Sequence, residues 1–370
     1  MKKLGFGLMR LPLSNYEDKG SIDMEQTCKM IDAYIERGFT YFDTAYPYHD
    51  GKSEEAFREA VAKRYPRDRY TITDKMPMFN RPSKEQMEAI FNEQLKRCGV
   101  EYFDYYLLHA LNRDTFAFSE KVGAFEYVLK LKEQGKIKNI GISFHDSADV
   151  LENILANHPE LDVVQLQINY LDWDNKNIQG KECYELCVKY NKPVIVMEPV
   201  KGGSLAAVPD EADKLLKEYD SKASAASWAV RYAASFDNVI MVLSGMSDMN
   251  QVLDNISYMD EFKPLNDEEH MVITKVTDII NNTTAIPCTK CNYCTSGCPM
   301  SIAIPDVFAI YNNLKRFPAT KQARKEAYDR VINNNHGKAS ECVECMQCQE
   351  HCPQHIDITE WLKVIAKEFE

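Results

Sequence analysis

The sequence predicts an α/β chain: a (β/α)8 TIM barrel followed by a small, mostly α-helical, cysteine-rich domain. Three observations predict it. Eight short β-rich runs alternate with about eight amphipathic stretches between residues 1 and 256, the count and size of an eight-stranded barrel. The first strand lacks the G-x-G-x-x-G turn of an open doubly wound sheet, which leaves that architecture as the runner-up. The end of the chain carries two copies of one cysteine pattern.

The strand runs are LGFGLM (4–9), TYFDTA (40–45), YTITDK (70–75), DYYLLH (104–109), IKNIGIS (137–143), DVVQLQ (162–167), PVIVME (193–198) and VIMVLS (239–244). Helical stretches between them include 24–38, 54–64 and 84–99, and Gly38 and Gly99 stand where a helix C-cap belongs. The stretch 257–286 is polar and then helical, and reads as a connector. The tail domain is predicted over 287–370, with helical segments at 306–317 and 321–334 between its cysteine runs.

The 370 residues are 45% apolar and 27% charged, enough to bury a sizeable core. A net charge of -12 argues against nucleic acid, whose affinity comes mainly from Lys and Arg on phosphates. No apolar stretch approaches the roughly 18 residues of a membrane span. The start, MKKLGFGLMRLP, lacks the long apolar core of a secretory signal, so a cytoplasmic protein is expected. Eight of the 12 cysteines fall in the two tail runs, and clustered cysteines in a reducing compartment are more often metal ligands than disulfides. Cys28, Cys98, Cys183 and Cys187 read as ordinary buried thiols.

In a barrel, chemistry gathers at the C-terminal ends of the strands. Asp43, Lys75 and His109 end the second, third and fourth strand runs, and Tyr48 follows Asp43 in the next loop. Singly, each has a plain reading: a helix N-cap, a solvated strand end, a core histidine, one of 20 tyrosines. Together they make one coherent site. A tyrosine with a pKa near 10 is a poor acid at neutral pH, and a neighbouring Lys⁺ favours the phenolate and lowers that value. An aspartate keeps the lysine charged and placed. A neutral histidine donates a hydrogen bond that orients a carbonyl oxygen. Such a set protonates an oxygen on which negative charge builds.

These residues make the barrel, over roughly 3–256, resemble the aldo-keto reductase family: FDTA-x-x-Y at 42–48, Lys75 after the third strand, and DYYLLH at 104–109. The resemblance implies a catalytic tetrad of Tyr48, Asp43, Lys75 and His109 with Tyr48 as general acid, a nicotinamide coenzyme, and a small carbonyl or alcohol substrate. IGIS (140–143) and VVQ (163–165) resemble the segments that hold the nicotinamide carboxamide, through Ser143 and Gln165. The Asn that usually follows that Ser is replaced by Phe144 and then His145. EPVKGGSL (198–205), with Pro199, Lys201, Gly202 and Gly203, follows strand seven, where barrels commonly bind phosphate. A simple turn is the rival reading for Lys201. SGMSDMNQVLDN (244–255) resembles the adenosine-phosphate segment, with Gly245, Gln251 and Asn255 as expected contacts. It contains no Lys or Arg for a 2′-phosphate, so the coenzyme expectation leans from NADP(H) to NAD(H).

PCTKCNYCTSGCP (287–299) and ECVECMQCQEHCP (341–353) both follow C-x2-C-x2-C-x3-C-P. This resembles the bacterial two-cluster ferredoxin, in which the fourth Cys serves the other cluster. The resemblance implies one [4Fe–4S] cluster on Cys288, Cys291, Cys294 and Cys352, and a second on Cys342, Cys345, Cys348 and Cys298. Paired zinc sites are the rival reading. The helical spacer resembles the α-helical ferredoxin type.

The expected function is NAD(P)H-dependent hydride transfer to an aldehyde or ketone, or its reverse. The alternative is an electron-transfer iron–sulfur protein whose barrel binds a nucleotide or partner without turnover. Clusters move single electrons and nicotinamide moves two. Three roles for the tail therefore stand open: a relay to a ferredoxin or flavoprotein partner, a structural cover, or electron exchange with a flavin in the barrel. Substrate identity and oligomeric state are not legible in the sequence.

Overall fold

Eight strands close in sequence order into a parallel barrel, with β8 returning to pair with β1. They are β1 (Leu4–Gly7), β2 (Tyr41–Asp43), β3 (Thr71–Met76), β4 (Phe103–Leu111), β5 (Ile137–Phe144), β6 (Val163–Gln167), β7 (Val194–Met197) and β8 (Val239–Gly245). The computed structural model describes residues 2–15, 18–176, 178–283, 285–286, 288, 294–295, 297–317, 319–333, 335–350, 352 and 356–370. The helices are α1 (Met24–Glu36), α2 (Ser53–Phe57), α3 (Lys84–Cys98), α4 (Arg113–Val122), α5 (Ala124–Glu133), α6 (Ala148–Asn157), α7 (Gly180–Lys189), α8 (Asp210–Tyr219), α9 (Ala225–Ala234), α10 (Met249–Met259), α11 (Asp267–Asn282), α12 (Ile304–Arg316), α13 (Lys321–Ile332), α14 (Gln347–Glu350) and α15 (Ile358–Phe369).

Local chemistry sets the element ends. Asp23 caps α1 by accepting from Gln26 N at 3.0 Å. Ser83 and Gln86 form a reciprocal capping box on α3, and Gly99 closes that helix at φ 67°. The run predicted as one helix over 54–64 is instead α2 followed by a single π-helical turn, Arg58–Ala62.

The period-two alternation of the strands splits the core in two. Inward side chains, Tyr41, Leu107, Val163, Ile195, Met241 and Leu243, fill the barrel centre. Outward ones such as Phe42, Ile72, Ile140, Ile142, Val164 and Val196 join the larger core under the helices. The centre is tight at Gly141, where an added Cβ would stand 2.5 Å from Leu107 and 2.6 Å from Val163.

The fold divides into two compact units, residues 1–206 with 226–267, and residues 207–225 with 268–370. The second unit has its own core, including Ile286, Ile302, Ile304, Val307, Phe308, Tyr311, Leu362 and Ile365. Buried Asn312 clamps the backbone just before the first cysteine run: it donates to the Ile286 carbonyl at 2.7 Å and accepts from the Ile286 amide at 2.9 Å. Gly337 pairs with Ile302, and a Cβ there would stand 2.1 Å from the Met300 carbonyl, so the close approach excludes every other residue. Among the described residues, no helix is long and apolar enough to cross a membrane.

Candidate active site and cofactor sites

Alternation sends Asp43, Lys75, His109, Ser143 and Gln165 inward at the C-terminal ends of five successive strands. In the register Ser143 pairs with Gln165, whereas Asp43 pairs with Thr73 and Lys75 with Leu107, so Lys75 and His109 each stand two residues further along their strands. Lys75 Nζ donates to Asp43 Oδ1 at 2.6 Å and to the Thr44 carbonyl at 2.8 Å. Gln165 Nε2 donates to the other oxygen of Asp43 at 3.2 Å. The Lys75 ammonium also stands 5.0 Å from the Tyr48 ring centroid.

Electrostatics assign each group a charge. Burial opposes the Lys75 charge, but Asp43 and Tyr48 more than offset it, so its pKa is raised and it stays an ammonium. Burial pushes the Asp43 carboxyl up, opposed by Lys75. His109 is held well below the usual histidine range by burial and then by Lys75 and His145, so it is neutral. Tyr48 corrects one expectation. The lysine does pull its pKa down, but burial outweighs that pull and the net direction is up. Tyr48 therefore keeps its proton in the resting site.

His109 is aimed by its backbone. The β4–β5 register shifts between Leu108 and Leu111, and Ala110 sits in the left-handed region at φ 58°. Strain of this kind collects at functional sites and bulges re-aim side chains. Tyr48 and Phe79 flank the His109 ring edge-on, at 6.0 Å and 5.5 Å. The His109 Nδ1 is buried without a hydrogen-bond partner among the described residues. Half-exposed Phe79, 44% accessible, is an aromatic wall that the sequence reading did not single out.

The expected coenzyme residues fare differently. Ser143 is buried, and its hydroxyl stands 3.1 Å from the Nε2 of His145, the second residue after it. Pro199 is buried, and the turn after it runs through left-handed conformations at Lys201, Gly202 and Gly203. An added Cβ on Gly203 meets nothing within 4 Å, which leaves open space beside the backbone. Lys201 is committed to Asp172, whose two oxygens lie 2.6 and 2.7 Å from its Nζ. Gln251 folds back on its own helix start, bonding Ser247 N and Asp248. Asn255 is buried and holds Ser244 at 2.7 Å, so it braces the end of β8.

A cation that the sequence reading passed over stands here. Because β1 is β8's neighbour in the closed barrel, the turn after β1 meets the segment after β8. The Arg10 stem lies against Gly245, with side-chain carbons 3.1–3.2 Å from an ideal Cβ there, and its guanidinium lies 3.5 Å from the Cβ position of Gly202. The signal was barrel closure, Gly7 pairing with Gly245, and not the segment's own composition.

In the second unit, Cys298, Cys342, Cys345 and Cys348 line one cavity with Met300, Ile302, Ile304, Val343 and Leu362. These four thiols are not joined in disulfides. Left-handed Glu344 and Met346 wrap the loop between the last three. Three thiols from one run and the fourth from the other, in an apolar cavity, are the donor set that a cubane cluster asks for. Cys288, Cys294 and Cys352 belong to or pack against the same core; Cys291 lies outside the described residues. Of the other cysteines expected to be buried, Cys98, Cys183 and Cys187 are, Cys28 is only partly so, and burial pushes Cys183 up to about 12.

Residues 3–278 match the model of the aldo/keto reductase family. The chain belongs to the aldo/keto reductase family. Residues 287–356 match a 4Fe-4S dicluster domain. The aldo/keto reductase barrel is 29% identical to a probable aldo-keto reductase 1 of Glycine max over 211 residues, 55% of this chain and 57% of that one. It is 38% identical to a methylglyoxal reductase of Escherichia coli strain K12 over 120 residues, 32% of this chain and 39% of that one. The chain thus spans less than two thirds of these two curated relatives. An NADH-specific methylglyoxal reductase of the same organism is 26% identical, over 65% of this chain and 85% of that one. Among solved structures, the holo form of an aldo-keto reductase of Bacillus halodurans superposes with a TM-score of 0.60 at 27% identity, covering 74% of this chain and 91% of that one.

Proposed function

We propose that the barrel reduces small aldehydes or ketones with a nicotinamide coenzyme, and that the tail carries two [4Fe–4S] clusters. The observation that carries this reading is the buried Lys75–Asp43 pair at 2.6 Å with the Tyr48 ring above the ammonium. When bound, the coenzyme supplies the hydride, and the clusters supply single-electron transfer.

The chain's own residues do the rest. His109, neutral, orients the carbonyl oxygen toward Tyr48. As negative charge builds on that oxygen, the Tyr48 hydroxyl gives it a proton. The phenolate so formed lies beside Lys75, whose charge Asp43 fixes, so the ion pair stabilises the form that burial alone disfavours. Carbonyl plus hydride plus proton gives alcohol, and Tyr48 regains its proton from solvent.

Ser143 and Gln165 would hold the carboxamide, with Ser143 oriented by His145. Arg10 reaches from Gly245 to Gly202 and would meet the pyrophosphate. Residues 245–255 themselves contribute no Lys or Arg for a 2′-phosphate, which supports NADH over NADPH. The names of two relatives make methylglyoxal the first substrate to try. The eight cysteines sort as Cys288, Cys291, Cys294 and Cys352 on one cluster, and Cys298, Cys342, Cys345 and Cys348 on the other. The cavity lined by that second set supports the crossed assignment. Electrons from the clusters would pass to a ferredoxin or flavoprotein partner. Coenzyme oxidation by the anaerobically prepared full chain, against methylglyoxal and a panel of small aldehydes and ketones, tests the reading. Turnover with at least one is expected, and coenzyme binding without any turnover would leave the electron-transfer alternative.

A further inference from the structure

The outward face of the barrel is apolar at nearly every buried position: Ile140, Ile142, Val164, Leu166, Val194 and Val196 all face the helices. The strand that bears Lys75 departs from this. Behind it, fully buried, stand Gln94 on α3, Tyr106 on β4 and Asp74 beside Lys75 itself.

Their hydrogen bonds meet at Lys75, with the buried Glu54 carboxyl lying against both Asp74 and Gln94. Gln94 Nε2 donates to the Lys75 carbonyl at 3.0 Å. The Tyr106 hydroxyl donates to Gln94 Oε1, which fixes the way the amide points. The Lys75 N–H donates to Asp74 Oδ1 at 2.8 Å, and the Cys98 thiol lies 3.6 Å from the other oxygen of Asp74. Burying an amide and a phenol between a strand and a helix costs desolvation, offset only when both ends are bonded. An apolar pair of similar volume would pack the same layer, as it does on β5 to β7.

We propose that Gln94, oriented by Tyr106, is a positioning residue for Lys75. It holds the Lys75 backbone from outside the barrel, so that the side chain passes inward on the line that meets Asp43, the Thr44 carbonyl and Tyr48. Gln94 touches neither substrate nor coenzyme and acts only through the lysine. Its kinetic consequence rests on the proposed role of Lys75 in catalysis; its positional consequence does not.

The test uses two variants of the full chain, Gln94→Leu and Gln94→Leu with Tyr106→Phe. The first strands a buried hydroxyl and should lower the melting temperature. The second removes that hydroxyl as well and should restore part of it, with the Glu54 carboxyl left beside the leucine. Two further readouts are taken on each: the 15Nζ resonance of Lys75, assigned by its loss in Lys75→Met, and kcat for carbonyl reduction with the coenzyme Kd alongside. In the double variant the resonance should remain displaced and kcat should stay about tenfold down, with the Kd unchanged, as small misplacements of a catalytic group cost rate. A displaced resonance with unchanged kcat upholds the positioning role and counts against the catalytic reading of Lys75. A resonance that never moves, or that returns with stability in the double variant, overturns the proposal whatever kcat does.

Discussion

Lys75 Nζ lies 2.6 Å from Asp43 Oδ1, with the lysine side chain fully closed to solvent and the aspartate nearly so. Removing one partner of a buried pair leaves the other charge stranded, at a cost of about 3–5 kcal/mol. Lys75→Met should therefore destabilise the barrel by about 3 kcal/mol, and Asp43→Leu added to it should recover much of that loss. Activity should not recover. Thermal unfolding of both variants beside steady-state kinetics checks the split between stability and rate.

The pH dependence follows from two opposed shifts. Burial raises Tyr48, so its proton should not produce a basic limb in kcat below about pH 10. Burial and Lys75 lower His109. Its folded form then binds a proton less well than the unfolded chain does. The stability linked to it is full above about pH 6.5 and is lost as pH falls toward the lowered value. His109→Gln should flatten that acid-side loss, measured as melting temperature between pH 7 and pH 5. A basic limb in kcat near neutral pH that disappears in Tyr48→Phe would show that Lys75 outweighs burial after all.

Arg10 bridges Gly245 and Gly202, in the two segments proposed to meet the coenzyme's phosphates. If it meets the pyrophosphate, NADH and NADPH share the contact. Arg10→Ala should weaken both coenzymes by a similar factor, about tenfold, as one charge-assisted contact is lost. Fluorescence titration of the two coenzymes measures it. A loss confined to NADPH would place the guanidinium at the 2′-phosphate and reverse the preference for NADH.

The crossed cysteine assignment separates two substitutions that otherwise look alike. Cys298 lines the cavity of Cys342, Cys345 and Cys348, although in sequence it closes the first run. Cys298→Ala should disturb the cluster of the second run, and Cys352→Ala that of the first. Iron and sulfide counts with electron paramagnetic resonance of the reduced protein distinguish them. If Cys298→Ala instead perturbs the cluster held by Cys288 and Cys294, the runs bind independently.

How far the sequence alone reached depends on which physics each feature obeys. The barrel was legible because strand alternation and helix caps are local, and Gly99 and the Ser83 box end up where their chemistry put them. The meeting of Asp43, Lys75, His109 and Tyr48 was legible because a strand end is a fixed address in a closed barrel. Arg10 was missed because its neighbour, Gly245, is 235 residues away in sequence and adjacent only through closure. The direction of the Tyr48 shift was misjudged because charge proximity can be read from strand order, whereas burial depends on how the loops pack around the ring. The committed partner of Lys201, Asp172, was likewise invisible, since nothing local links the two.

Tyr48→Phe tests the central claim most directly. The substitution removes one oxygen and leaves the ring against Lys75 and His109. Measured on the full chain with a carbonyl that the parent reduces, kcat should fall by about 10²–10⁴-fold, the usual worth of a general acid, with coenzyme affinity unchanged. An unchanged kcat would contradict the account, because the proton would then come from elsewhere and the buried Lys75–Asp43 pair would have no catalytic part.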